Sequence, residues 1–153
     1  MAFSVVRQLL EQPVLSASAA ERRRLLAGPA RAGAGALGLA AGDAPASKFA
    51  AVHGLYWLCV NLADRQPLLL TVDDLQWVDG PSLSWLAYLG PRAAESPMLM
   101  VLTVREGDPR GQGAWDHAFC GLAGRAISPS PRAAFKTPIR NFLNLRATAS
   151  QCR

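Results

Sequence analysis

Two adjacent carboxylates, Asp73 and Asp74, follow directly on the apolar run LLLTV at residues 68–72. A continuous apolar run this short, with Thr and Val in it, reads as a strand buried on both faces. Carboxylates just past the carboxyl end of such a strand lie where open α/β folds bind their ligands. Mg²⁺ takes hard oxygen ligands and keeps several waters, so one or two carboxylates suffice to hold it beside a phosphate. In that chemistry Asp73 contacts the metal, directly or through water, and Asp74 orients or deprotonates an attacking water. The alternative is structural: the pair begins a loop and caps the following turn. Arg105 follows a second apolar run, MLMVLTV at 98–104. An arginine there either stabilises charge developing on a phosphoryl group or is simply solvated.

Phosphate chemistry also needs a loop whose backbone N–H groups surround the phosphates and a lysine to neutralise them. Two stretches imitate such a loop. GAGALG (Gly33, Gly35, Gly38) matches G-x-G-x-x-G, but it follows LLAGPARA rather than a strand, and its surroundings are rich in Gly and Ala. GDAPASKF, residues 42–49, approaches G-x-x-x-x-G-K-[ST]. Ser47 replaces its second glycine and Phe49 the magnesium-binding hydroxyl, so Lys48 reads as a surface residue near a helix start. Neither loop is expected to bind phosphate.

Other metal or redox chemistry finds no support. Cys59, Cys120 and Cys152 are far apart and form no CxxC pair, and His53 and His117 are not at ligand spacing. The cysteines are expected to be reduced thiols. The start MAFSVVRQLLEQ lacks the basic stretch, apolar core and cleavage site of a signal peptide, and no run is long enough to span a bilayer. A cytoplasmic protein with no membrane contact is expected. The net charge of +5 is unevenly placed: residues 1–104 hold eight basic and eight acidic side chains, residues 105–153 eight and three. The last third is basic without lining its charges on one helix face.

The elements that must position Asp73 and Asp74 are legible on both sides. Residues 3–12 form an amphipathic pattern that Pro13 is expected to stop. Ser18 and Glu21 make a capping box for AAERRRLLAG. Residues 28–47 read as a loop with at most one helical turn. In KFAAVHGLYWLCVNLADR, Phe49, Val52, Leu55, Tyr56, Cys59 and Leu62 recur at helical spacing and predict a helix that Pro67 ends. After the first strand, Asp79 is placed to cap a helix with Pro81 in its first turn and Leu83, Leu86 and Leu89 inward, kinked or shortened at Gly90-Pro91. MLMVLTV is expected to be a second buried strand. This order predicts an α/β fold with a parallel sheet. Beyond residue 109 the period fades into an irregular basic tail, with FLNLRATAS, residues 142–150, as a weak final helix.

The stretch from HGLYWL through VDDLQWVD to PSLSWLAYL resembles the AAA-type ATPase module of large LuxR-type transcriptional regulators, members of the signal-transduction ATPases with numerous domains. The similarity runs from about Phe3 to Pro109, with these stretches in order and at family spacing. The resemblance implies a partial P-loop NTPase sheet with flanking helices, with ATP and Mg²⁺ as cofactors. It implies that Asp73 is the metal-associated Walker B aspartate, Asp74 the catalytic acid and Arg105 a sensor arginine facing the terminal phosphate. Trp77 and Asp79 match the family's turn. Family order places the phosphate loop before the equivalent of Phe3, so the chain reads as a member that starts one helix late. The sequence after Pro109 reads as the product of a shifted frame; shifted translation of the same DNA then restores family-like sequence.

Three functions follow as expectations. The first is a nucleotide-dependent regulatory module without hydrolysis of its own. The second is a non-catalytic fragment that self-associates or docks on a full-length relative. The third is nucleic-acid binding through the basic tail, for which no helix-turn-helix, zinc finger or aromatic-basic platform is visible; DNA binding in the family belongs to a domain this sequence lacks.

Overall fold

The computed structural model describes residues 2–39, 47–93, 95–104 and 143–148. Three parallel strands form its sheet: β1 (Leu68–Asp73) at the centre, β2 (Met98–Leu102) on one side and β3 (Leu143–Thr148) on the other. Leu70 lies opposite Met100 in β2 and Leu145 in β3. Among the described residues four α-helices accompany the sheet: α1 (Ser4–Leu15), α2 (Ala19–Leu25), α3 (Lys48–Ala63) and α4 (Gly80–Ala93). The expected α/β class with a parallel sheet is what the structure has. No helix among the described residues is long and apolar enough to cross a membrane.

β1 is central because its residues can be buried on both sides. Leu68, Leu70 and Val72 are fully buried on the face shared with Leu145 and Ala147, and Leu69 is buried on the other. Burying each such side chain stabilises the fold by about 1.5–3 kcal/mol relative to its exposure. β2 departs from expectation. It is an edge strand among the described residues, its side chains are only half-buried, and Val101 is 41% exposed. An apolar run identifies a strand but not its place in the sheet.

Residues 143–148 are a second correction: they form a strand, not part of a final helix. In LNLRAT the apolar Leu143, Leu145 and Ala147 alternate with Asn144, Arg146 and Thr148, a period of two that fits one buried sheet face. α1 covers the outer edge of this strand, where the Thr148 N–H donates to the Gln8 side-chain oxygen at 3.2 Å.

Two prolines do less than the sequence suggests. α1 passes through Pro13 and α4 through Pro91 without ending there. Each sits in the last turn of its helix, where a missing N–H removes one hydrogen bond and little helix remains to be broken. The capping box forms as read, with Glu21 N–H on Ser18 Oγ and Ser18 N–H on the Glu21 carboxylate.

α3 buries a wider surface than a single stripe. Val52, Leu55, Cys59 and Leu62 face inward as expected, but Ala51, Gly54 and Leu58 are buried too. Phe49, expected on the apolar face, is 66% exposed, and Tyr56 is half-buried. The cause is a second layer: residues Gly28–Gly33 form a 3-10 helix laid against α3. Its approach is backbone to backbone, since a Cβ on Gly54 would come within 2.3 Å of the Gly33 nitrogen. Gly33 of GAGALG is thus used for close packing, and Gly38 for a turn at φ +71° beside the Arg7 guanidinium. Burial pushes the Cys59 thiol far above its usual range, which keeps it an inert core group.

Candidate functional site

The carboxyl end of the sheet brings together Asp73, Asp74, Thr103 and Arg146. Asp73 closes β1, and the chain then turns sharply: Asp74 takes the left-handed conformation at φ 61°, and Leu75–Trp77 form one 3-10 turn. Thr103, one residue past β2, fixes that turn from the side. Its N–H donates to the Val72 carbonyl at 3.0 Å, and its own carbonyl accepts from the Leu75 N–H at 2.9 Å. Its hydroxyl donates to Asp73 Oδ1 at 2.7 Å and accepts from the Asp74 N–H at 3.2 Å.

The second oxygen of Asp73 accepts from the Arg146 guanidinium, which reaches up from β3 on the same sheet face. The Thr103 hydroxyl first, and then Arg146, hold the Asp73 carboxyl below the usual carboxylate range, against a smaller upward push from burial. Asp74 is more lightly held, accepting from the Gln76 amide at 3.2 Å. Of the residues singled out from the sequence, the structure therefore brings Asp73 and Asp74 together at the expected strand end. Arg105 lies outside the described residues.

A divalent cation does not fit beside Asp73 while Arg146 is paired with it. Both Asp73 oxygens are already engaged, one of them by a positive charge. What the site offers is a carboxylate paired with a guanidinium, and a second carboxylate beside it.

The third aspartate of the stretch, Asp79, has another task. Its Oδ1 accepts from the Phe3 N–H at 2.9 Å and the Ser82 N–H at 3.0 Å. Its Oδ2 accepts from the Ser4 N–H at 2.9 Å and from the Ser4 and Ser82 hydroxyls, each at 2.6 Å. One carboxylate thus caps the N-termini of α1 and α4 together, where both helix dipoles favour negative charge. Burial raises its pKa, but the hydrogen bonds from Ser4, Ser82 and Phe3 outweigh that and leave it lowered.

A polar cluster outside the strand end joins α3 to α4. Trp57 Nε1–H donates to His53 Nε2 at 3.0 Å, so the neutral ring carries its proton on Nδ1, which lies 2.9 Å from the Tyr88 hydroxyl. Arg92 stacks on the Tyr88 ring at 3.8 Å. HGLYWL and PSLSWLAYL are therefore in direct contact through His53 and Tyr88.

Sequence reasoning missed Thr103 and Arg146. Thr103 carried a weak signal, a hydroxyl at the end of an apolar run. Arg146 carried none, because its strand was read as a helix. No protein-family profile, no curated protein and no solved structure matches the chain significantly.

Proposed function

We propose that this chain is a fragment of an ATP-binding regulatory module, the AAA-type ATPase domain of a LuxR-type transcriptional regulator, and does not hydrolyse ATP alone. One observation carries the reading: Asp73 closes the central strand of a parallel sheet, and Asp74 follows at its carboxyl end, where such folds bind nucleotides. The contact between the His53 helix and the Tyr88 helix adds support, because it places the family-like stretches side by side.

In the intact family ATP and Mg²⁺ act as a switch that biases a bistable domain arrangement. On this reading Asp73 stands at the position of the family's metal-associated residue, held here by Arg146, and Asp74 and Arg105 stand at the positions of its catalytic ones. The sequence holds no glycine-rich loop with a lysine to surround the phosphates, so most nucleotide-binding energy is missing. The site of action is the cytoplasm.

The test is the DNA immediately before the Met1 codon. A G-x-x-x-x-G-K-[ST] encoded there, in any frame, is expected. The chain extended through it should bind ATP, and Asp74→Asn in that longer chain should stop turnover while sparing binding. No phosphate loop in any frame, or brisk hydrolysis by the 153-residue chain alone, would contradict the reading.

A second reading is favoured by the sheet edge. β2, MLMVL, is uncharged and lies at the edge of the described sheet, and Val101 and Val104 are each 41% exposed. Unprotected apolar edges recruit other strands. Under this reading the chain docks on a full-length relative or on a second copy of itself. Sedimentation that stays monomeric at every concentration, with and without the relative, would count against it.

A further inference from the structure

The misfit between Asp73 and a divalent cation has a definite cause, and that cause lies far along the chain. Arg146 is 73 residues away in sequence, yet its guanidinium sits on the outer oxygen of Asp73. Three features place it there. β3 pairs in parallel with β1 from Leu68 to Asp73. Leu145 and Ala147 are buried in the core on either side of Arg146, which turns it to the opposite face, the face of Thr71 and Asp73. The Thr148 N–H is held by Gln8 of α1, which fixes the end of the strand.

We propose that β3 is an autoinhibitory strand: Arg146 holds Asp73 as a built-in counter-ion, and its pairing and divalent-cation binding at the strand end exclude one another. The proposal rests on the reading of this strand end as a nucleotide-switch remnant, and it deepens that reading by naming what keeps the cation off. The geometry allows exchange. The Asp73 side chain is 28% exposed and that of Arg146 67%, so water and ions reach the pair. Thr103 bonds to the other carboxylate oxygen and stays in place when Arg146 leaves, so Asp73 keeps its orientation. An exposed ion pair is a weak competitor, screened by salt, so the inhibition is graded rather than absolute.

Mn²⁺ alone, without nucleotide, tests this on the full chain. Its paramagnetic broadening of the amide signals of residues 72–75 is followed by NMR in the wild type, Arg146→Ala, Arg146→Lys and Asp73→Asn/Arg146→Ala. Arg146→Ala is expected to broaden at roughly two- to fivefold lower Mn²⁺ than the wild type, the range a partly exposed pair can hold against. Arg146→Lys should titrate close to the wild type, because it keeps the charge and β3, and the double variant should lose the effect. If Arg146→Ala disturbs the amide signals of β3, Arg146→Gln, which retains a hydrogen-bond donor, takes its place. Overlapping titrations of wild type and Arg146→Ala, no broadening in either, or broadening that survives Asp73→Asn would each overturn the proposal. Because no ATP is present, failure of nucleotide binding leaves this result standing, and failure here leaves the ATP test standing.

Discussion

The three aspartates of VDDLQWVDG occupy two different worlds within seven residues. Asp79 lies at a half-buried junction and accepts five hydrogen bonds, from two helix N-termini and two serines. Asp73 and Asp74 stand at a strand end open to solvent, the first held by one hydroxyl and one guanidinium, the second chiefly by its neighbour Gln76. The contrast teaches that neighbouring carboxylates of one short stretch can differ completely in how firmly the fold holds them. Removing Asp79 is expected to damage the fold, and removing Asp73 or Asp74 to leave it largely intact.

The largest effect that sharpens this division lies on the structural side. Gly54→Ala drives a methyl to within 2.3 Å of the Gly33 backbone, and only separation of α3 from the 3-10 segment can relieve it. A loss of about 3 kcal/mol in urea unfolding is expected. Next comes acid. The Asp79 pKa is lowered from the ordinary value of 3.8, so its stabilisation is fully present above that value and lost as pH falls through the lower folded value. The unfolding midpoint of the wild type should therefore drop steeply below about pH 4, and Asp79→Asn should flatten that acid limb. Arg146→Ala should change global stability little, because its pair is exposed, while changing cation binding as described above. The smallest effect is Asp74→Gly. It relieves a non-glycine residue at φ 61° and should leave stability unchanged or raised by about 0.5 kcal/mol.

How much of this was legible in the sequence depends on how local the cause was. The existence of the four helices, the capping box at Ser18, the strand before Asp73 and the capping role of Asp79 for α4 follow from neighbouring residues, although α1 and α4 run on through Pro13 and Pro91, where the sequence predicts a stop and a kink or shortening. Asp79 as the cap of α1 as well did not, because Phe3 and Ser4 reach it only through folding, from more than seventy residues away. The same reason hid Arg146. LNLRAT is short, its alternation is brief, and only pairing with β1 makes it a strand. The sequence already argues against GAGALG as a phosphate loop, but what Gly33 does instead shows only in its close approach to Gly54. Chemistry borrowed from distant segments is where single-sequence reading stops.

The most direct test of the division of labour is urea unfolding of Asp79→Asn and Asp73→Asn, measured side by side at neutral pH. The account predicts a loss of about 2 kcal/mol for Asp79→Asn, since one carboxylate oxygen accepting three donors becomes a donor itself. For Asp73→Asn it predicts only a minor shift. Equal losses, or a larger loss at Asp73, would contradict it and make the strand-end carboxylate part of the scaffold rather than of a binding site.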